Sequence, residues 1–175
     1  MIKKRNTLSK SEVKRLSGKI CSKILELPET KQAESVGIYI SFKNEVLAEM
    51  LLAPLFAKGK KIFVPVVSPN TPIRFAHLLP KAKTRCGLKG TREPIKKSFA
   101  KEGEINVFVV PGLAFDLDGF RIGWGKGHYD QFFSRNKKAI KIGAAYDFQI
   151  VRKIDAEAHD VKMDLIVTEK RVLNF

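Results

Sequence analysis

Acidic residues, cysteine and histidine are scarce here, and each shortage closes off a class of function. With 18 Asp and Glu against 33 Lys and Arg, the formal net charge is +15. That balance favours anionic partners, nucleotides and nucleic acid among them, and is equally met by a solvated basic surface. The sequence has two cysteines, Cys21 and Cys86, in no C-x-x-C pair. No disulfide framework follows, which agrees with a reducing, cytoplasmic setting. Cys21 follows Ile20 on a helical stripe and reads as a buried free thiol. The three histidines, His77, His128 and His159, are too scattered for a sequence-local metal site, and no H-E-x-x-H occurs. His77, at a strand end, reads as structural. No Ser-His-Asp or Cys-His constellation stands out. No apolar run approaches the roughly 20 residues of a membrane-spanning helix. Residues 1–6 have no apolar core after their charges, so they do not read as a signal peptide. Few aromatics interleave with the basic runs, which counts against stacking on nucleic-acid bases.

What is present describes an α/β protein. The 175 residues, 44% hydrophobic, suit one domain spanning residues 1–175 with a proper core. Ser9-Lys10-Ser11-Glu12 is a capping box, followed at helical spacing by Val13, Leu16, Ile20, Ile24 and Leu27 up to Pro28. Strands are predicted at 36–40, 62–67, 73–77, 105–110, 140–145 and 165–168. A helix is predicted over 46–58, with Gly59 as its stop. Strand, helix and strand at this spacing indicate a three-layer sandwich, a mainly parallel central sheet covered by helices. Residues 80–104 differ: eight Lys or Arg stand against one Glu between Lys81 and Lys101, with few large apolars, so a basic mobile loop is expected.

The most informative stretch is 111–130, P-G-L-A-F-D-L-D-G-F-R-I-G-W-G-K-G-H-Y-D. It leaves an apolar strand and reaches Gly123, Gly125 and Gly127 at alternate positions. Closely spaced glycines let successive backbone N–H groups turn inward, and such a nest feeding a helix N-terminus attracts anions. Arg121 and Lys126 add charge, and Asp130, on what reads as the first helical turn, offers a hard oxygen ligand for a metal. Asp118-Gly119 reads as a tight turn within the stretch. Neither familiar phosphate motif fits. No Ser or Thr follows Lys126 as in a P-loop, and G-x-G-x-G is not the dinucleotide G-x-G-x-x-G. Asp147, roughly 20 residues beyond Gly127, keeps a dinucleotide reading open, and a glycine-rich hairpin with incidental charges also remains.

These residues carry a family resemblance. Pro111-Gly112, Ala114-Phe115-Asp116, Gly119, Arg121, Gly123, Gly125-Lys126-Gly127 and Tyr129-Asp130 together resemble the signature of 5-formyltetrahydrofolate cyclo-ligases, also called methenyltetrahydrofolate synthetases. Upstream, Ile38-Tyr39-Ile40-Ser41 with Glu45 is similar to the family's first strand and its folate-contacting glutamate. Gly59-Lys60 before Phe63-Val64-Pro65 fits the second strand, and residues 160–169 resemble the C-terminal strand. The sequence departs from the family in two places. The family usually begins with a further half-helix whose Lys and Arg reach the nucleotide, whereas Lys3, Lys4 and Arg5 match the part after it and are not expected to inherit that role. His128 stands where the family commonly has the first of two tyrosines.

The resemblance implies an ATP- and Mg2+-dependent ligase that cyclises 5-formyltetrahydrofolate to 5,10-methenyltetrahydrofolate, as a monomer or weak homodimer. It implies that Arg121 and Lys126 stabilise developing charge. Arg121, Ile122, Gly123, Trp124, Gly125, Lys126, Gly127, His128 and Tyr129 would contact ATP. Ile40, Glu45, Trp124, Gly125, Lys126, Gly127 and His128 would contact the reduced folate, Glu45 fixing the pterin. Asp130 and Asp160 would hold the metal, and Gly90-Thr91-Arg92-Glu93-Pro94 would lie near the substrate. Read without the resemblance, Glu45 is a favourable charge at a helix N-terminus, Asp160 an ordinary loop acid and Trp124 a buried aromatic. A binder of nucleotide or phosphorylated ligand without this activity, and a basic nucleic-acid-binding protein, stay as alternatives.

Overall fold

The computed structural model describes residues 1–175 except 69–70, 88–91 and 126. Its sheet follows from apolar runs long enough to be covered on both faces. Strands β1 (Ser35–Ile38), β2 (Lys61–Ser68), β3 (Thr71–Leu78), β6 (Val107–Val110), β9 (Ile140–Ala144), β10 (Leu165–Val167) and β11 (Val172–Asn174) form one seven-stranded sheet in the order β11-β10-β9-β6-β1-β2-β3. The five inner strands are parallel, while β3 and β11 join antiparallel at the two edges. Two two-stranded ribbons lie outside it: β4 (Thr84–Cys86) with β5 (Arg92–Pro94), and β7 (Ala114–Phe115) with β8 (Arg121–Ile122).

Alternation of side chains sorts the core into two layers. Val36, Ile38, Ile62, Val64, Val107, Val109, Ile142 and Leu165 share one buried layer with Ile20 and Ile24 of helix α2 (Lys10–Glu26). Around it also pack α3 (Pro28–Gln32), a 3-10 turn at Ala48–Leu51 and α4 (Leu52–Ala57), while α1 (Ile2–Asn6) is tied on by the Asn44 side chain. The second layer holds Phe63, Phe75, Phe108, Phe115 and Ile166, covered by Phe133 of α5 (His128–Arg135). Gly37 and Gly143 are dictated here by space. A Cβ at either would run into the Phe108 or the Phe115 ring. The expected three-layer α/β architecture is therefore present, and all six predicted strands occur with boundaries shifted by a residue or two.

The Ser9–Glu12 capping box forms, and α2 ends at Glu26, ahead of Pro28, which opens α3. The helix predicted over 46–58 is shorter than expected. Pro54 lacks an N–H and its ring crowds the carbonyl four residues back, so the α-helix starts only at Leu52 after the 3-10 turn. Gly59 closes it at φ +71°, in the left-handed region. In the basic segment 80–104, Gly90 and Thr91 lie outside the described residues. The described part carries the β4–β5 ribbon, and Glu93 is buried and paired with Lys97 at 2.8 Å. The segment thus has strand structure that composition did not suggest. Among the described residues no helix is long and apolar enough to cross a membrane.

Candidate functional site

The sheet order places the site. From β1 the chain crosses by α4 over one face to β2 on one side, whereas β6 lies on the other side of β1 and continues by α5 over the opposite face to β9. Where crossovers diverge in this way, the loops at the carboxyl ends of the two strands splay apart and leave a crevice for ligands. The loop after β1 carries Ile40 and Glu45, and the loop after β6 is the glycine-rich stretch. The two segments singled out in the sequence therefore meet at one switch point.

The loop after β6 is built in two steps. Asp116, fully buried, accepts N–H bonds from Asp118, Phe120 and Ile154 at 2.8–3.0 Å, which fixes the turn between β7 and β8. Gly119 sits there at φ +90°, as the Asp-Gly turn requires. The chain then passes through Gly125 at φ +77° and Gly127 at φ +59°, conformations that L side chains adopt at a cost. Gly127 is the N-cap of α5 and presents no capping side chain. Among the described residues, a Cβ at Gly123, Gly125 or Gly127 would meet nothing within 4 Å. Packing is therefore not what these glycines serve. Lys126 lies outside the described residues.

Charged groups gather around this loop in pairs. Arg121 on β8 holds Asp130 Oδ1 through Nη2 at 3.0 Å and donates through Nη1 to the Val161 carbonyl at 3.3 Å. Its side chain is nearly buried, with the guanidinium 5.7 Å from the Tyr129 ring centre. Asp130 Oδ1 also accepts the Val161 N–H at 3.2 Å, so the segment bearing Asp160 is tied to α5. Asp160 in turn accepts the Glu157 N–H through Oδ2 at 2.8 Å. The structure thus brings Arg121, Asp130 and the Asp160 segment together, and makes an ion pair of two residues that the sequence had suggested for separate tasks. His128 opens α5 beside them, half-buried, and Ile122 is exposed. Burial pushes the Tyr129 phenol up.

A second cluster centres on Glu45, which is 6% exposed. It does not begin a helix. Its carboxylate turns back on its own loop and accepts the Phe42 N–H at 3.0 Å, and it also accepts the Trp124 indole N–H at 3.4 Å. Burial pushes this carboxyl above its ordinary value, against the pull of the Phe42 N–H, of Arg5 and of the Trp124 bond. Trp124 is not buried: it is 43% exposed, with Phe42 edge-on at 6.2 Å. Beneath it lies Arg5 of α1, 2% exposed, its Nη1 3.7 Å from Glu45 Oε1 and its guanidinium 5.7 Å from the indole centre. Arg5 was not expected in the site. Nothing local in the sequence marks it, because Asn44 brings it there by donating from its side chain to the Arg5 and Leu8 carbonyls. Ile40 stands slightly apart. It lines a cleft of about 750 Å³ with Glu49, Leu52, Phe56, Leu78 and others, bordering the Glu45 loop rather than the glycines.

Asp147 and His77 have structural partners. Asp147 is engaged by the Arg171 Nε at 2.8 Å and by the Thr168 hydroxyl at 3.2 Å, a structural tie at the end of β9 rather than a ribose acid. His77 packs its ring against Phe63 at 5.2 Å within the sheet. Among the described residues no group of three or more His, Cys, Asp or Glu is arranged to hold a metal ion. Asp130 accepts from the Val161 N–H, so it lies beside the backbone of the segment that carries Asp160.

Comparison with known proteins points to one family. The family model described as the 5-formyltetrahydrofolate cyclo-ligase family matches residues 1–169. A Mycoplasma genitalium protein named 5-formyltetrahydrofolate cyclo-ligase is 31% identical, over 95% of this chain and 92% of its own. The Haemophilus influenzae protein of that name is also 31% identical, over 82% of this chain and 80% of its own. The solved structure of Aquifex aeolicus 5,10-methenyltetrahydrofolate synthetase superposes with a TM-score of 0.88 at 36% identity, covering 99% of this chain and 88% of that one. The Mycoplasma pneumoniae 5,10-methenyltetrahydrofolate synthetase superposes at 0.78 with 27% identity, covering 96% and 93%. The chain belongs to the 5-formyltetrahydrofolate cyclo-ligase family.

Proposed function

We propose that this protein converts 5-formyltetrahydrofolate and ATP into 5,10-methenyltetrahydrofolate, ADP and phosphate, acting as one unit in the cytoplasm. The observation that carries the reading is the meeting, at one sheet switch point, of a glycine loop with left-handed turns and a buried carboxylate beside an indole. The first suits polyphosphate and the second suits a flat, hydrogen-bonding bicycle.

The chemistry asks little of a protein nucleophile. The formyl oxygen attacks the γ-phosphorus of ATP and ADP departs, leaving the oxygen as part of a phosphate ester. N10 of the folate then attacks the formyl carbon, the C–O bond breaks, phosphate leaves and N10 gives up its proton. Such a sequence needs positioning and neutralised charge. In this reading the backbone N–H groups of residues 123–127 cradle the phosphates, together with Arg121, Ile122, Lys126, His128 and Tyr129. Glu45 accepts from the pterin, while Ile40, Trp124, Gly125, Lys126, Gly127 and His128 border the folate. Asp130 and Asp160 would hold Mg2+, which supplies charge neutralisation at the phosphates. Arg121, held by Asp130 and Val161, keeps one of those acids oriented and its own charge close by. Phosphate release measured alongside folate consumption tests the scheme. One phosphate per folate, and none without folate, is expected. ATP hydrolysis that ignores the folate would contradict it.

A further inference from the structure

The Arg5 guanidinium is buried with more hydrogen-bonding capacity than its surroundings use. Its Nη1 faces Glu45 at 3.7 Å, but among the described residues Nε and Nη2 have no hydrogen-bond partner. Leaving donors of a buried cation unpaired is expensive, so such groups are normally satisfied. The charge is not what holds α1 in place. The Asn44 side-chain amide does that, donating to the Arg5 and Leu8 carbonyls. Meanwhile the neighbouring indole is a flat bicycle that gives one N–H to Glu45 and turns its ring to the guanidinium.

We propose that Arg5 is a specificity-determining residue: with Glu45 it reads the cyclic-amide edge of the substrate's pterin, in the place over which the Trp124 indole lies. This inference rests on the function proposed above. A carboxylate beside a guanidinium presents an acceptor next to a donor. That pattern complements an adjacent N3–H and 4-oxo oxygen, the N3–H going to Glu45 and the oxygen accepting from Arg5. The indole N–H reproduces the first of these bonds at 3.4 Å, and its ring face takes the place of the second by a weaker cation–π contact. Substrate binding then moves Trp124 aside and gives the unpartnered guanidinium nitrogens an oxygen. A 4-amino pteridine puts a donor against Arg5 and, lacking the N3–H, an acceptor against Glu45, so it forfeits both bonds, and only the first of these losses depends on Arg5.

The test compares affinities for 5-formyltetrahydrofolate, for the corresponding reduced folate bearing a 4-amino group, and for Mg-ATP, in wild type, Arg5→Met and Arg5→Lys. Fluorescence of the chain's one tryptophan serves as readout. The wild type should favour the 4-oxo compound. Arg5→Met should weaken that compound by roughly tenfold to a hundredfold, the worth of a charge-assisted bond, while barely changing the 4-amino compound or Mg-ATP. Arg5→Lys, which keeps the charge and a donor, should fall between. Equal losses for both folates, an unchanged preference, or a loss confined to Mg-ATP would overturn the assignment. A second measurement needs only Arg5→Lys for assignment: the Arg5 Nε–H signal of nitrogen-15-labelled wild type should shift with the 4-oxo folate and not with Mg-ATP alone. A shift with Mg-ATP only would overturn it equally. A wild type that turns over 5-formyltetrahydrofolate without 4-oxo preference refutes the role of Arg5 alone. A wild type that binds no reduced folate refutes the functional reading and this inference with it.

Discussion

Glu45 sits between two demands, because burial disfavours its charge while Arg5, Trp124 and the Phe42 N–H favour it. The net direction is upward. A carboxyl whose folded value exceeds its unfolded one binds its proton more tightly when folded, so its contribution to stability is full at low pH. That contribution is lost as pH rises from the ordinary carboxylate range through the raised value. Wild type should therefore lose stability relative to Glu45→Gln over that interval, as read by urea midpoints between about pH 4 and 7. A difference that stays flat with pH would show that the carboxyl is not held up by burial. Asp130→Asn tests the other cluster. Its shape and one acceptor for Arg121 survive, so stability should fall by only about 1–2 kcal/mol. Turnover should fall by roughly a hundredfold and lose its response to divalent metal, since an amide carries no charge for a hard cation. Unchanged metal dependence would remove Asp130 from that role. Cys21 carries no such function. Burial pushes its thiol up to about 12, and in a Cys86→Ser background it should react with thiol reagents only on unfolding.

Elements differ in how far their residues announced them. The inner strands were readable because a parallel strand covered on both faces is an unbroken apolar run, as Val107-Phe108-Val109-Val110 shows. The short strands β4, β5, β7, β8 and β11 were not, because two or three residues carry no period. The Glu45 loop misled as well: its acid resembles a helix start, yet Pro54 delays the helix to Leu52 and the carboxylate caps its own turn. In the site, the glycines and Asp130 were visible as a contiguous motif. Arg5 and Phe42 were invisible because chain folding alone brings them to Trp124. Two kinds of glycine should behave differently on substitution by alanine. Gly37→Ala drives a methyl into the Phe108 ring between packed strands and should cost about 1–3 kcal/mol of stability. Gly125→Ala meets no atom of the described residues within 4 Å and pays only for a left-handed backbone, about 1–2 kcal/mol, but it should weaken Mg-ATP binding. Thermal melts and nucleotide titrations separate them, and a Gly125→Ala protein with wild-type affinity would argue against a phosphate cradle there.

At the scale of the whole molecule, the net charge of +15 invites the competing view that the protein serves nucleic acid. The site explains part of that charge through Arg5 and Arg121, both turned inward to carboxylates rather than outward to a backbone. Nucleic-acid binding should therefore be weak, non-specific and gone by roughly 0.2 M salt. A tight complex surviving at that ionic strength would put the competing view ahead. Turnover is assigned to the crevice between the β1 and β6 loops. It is tested most directly by incubating the purified protein with 5-formyltetrahydrofolate, ATP and Mg2+ and following the near-ultraviolet absorbance of the methenyl product. The absorbance should rise only when all three components are present together, and not when any one is left out. A folded protein that binds Mg-ATP yet forms no methenyl product at any folate concentration would contradict it.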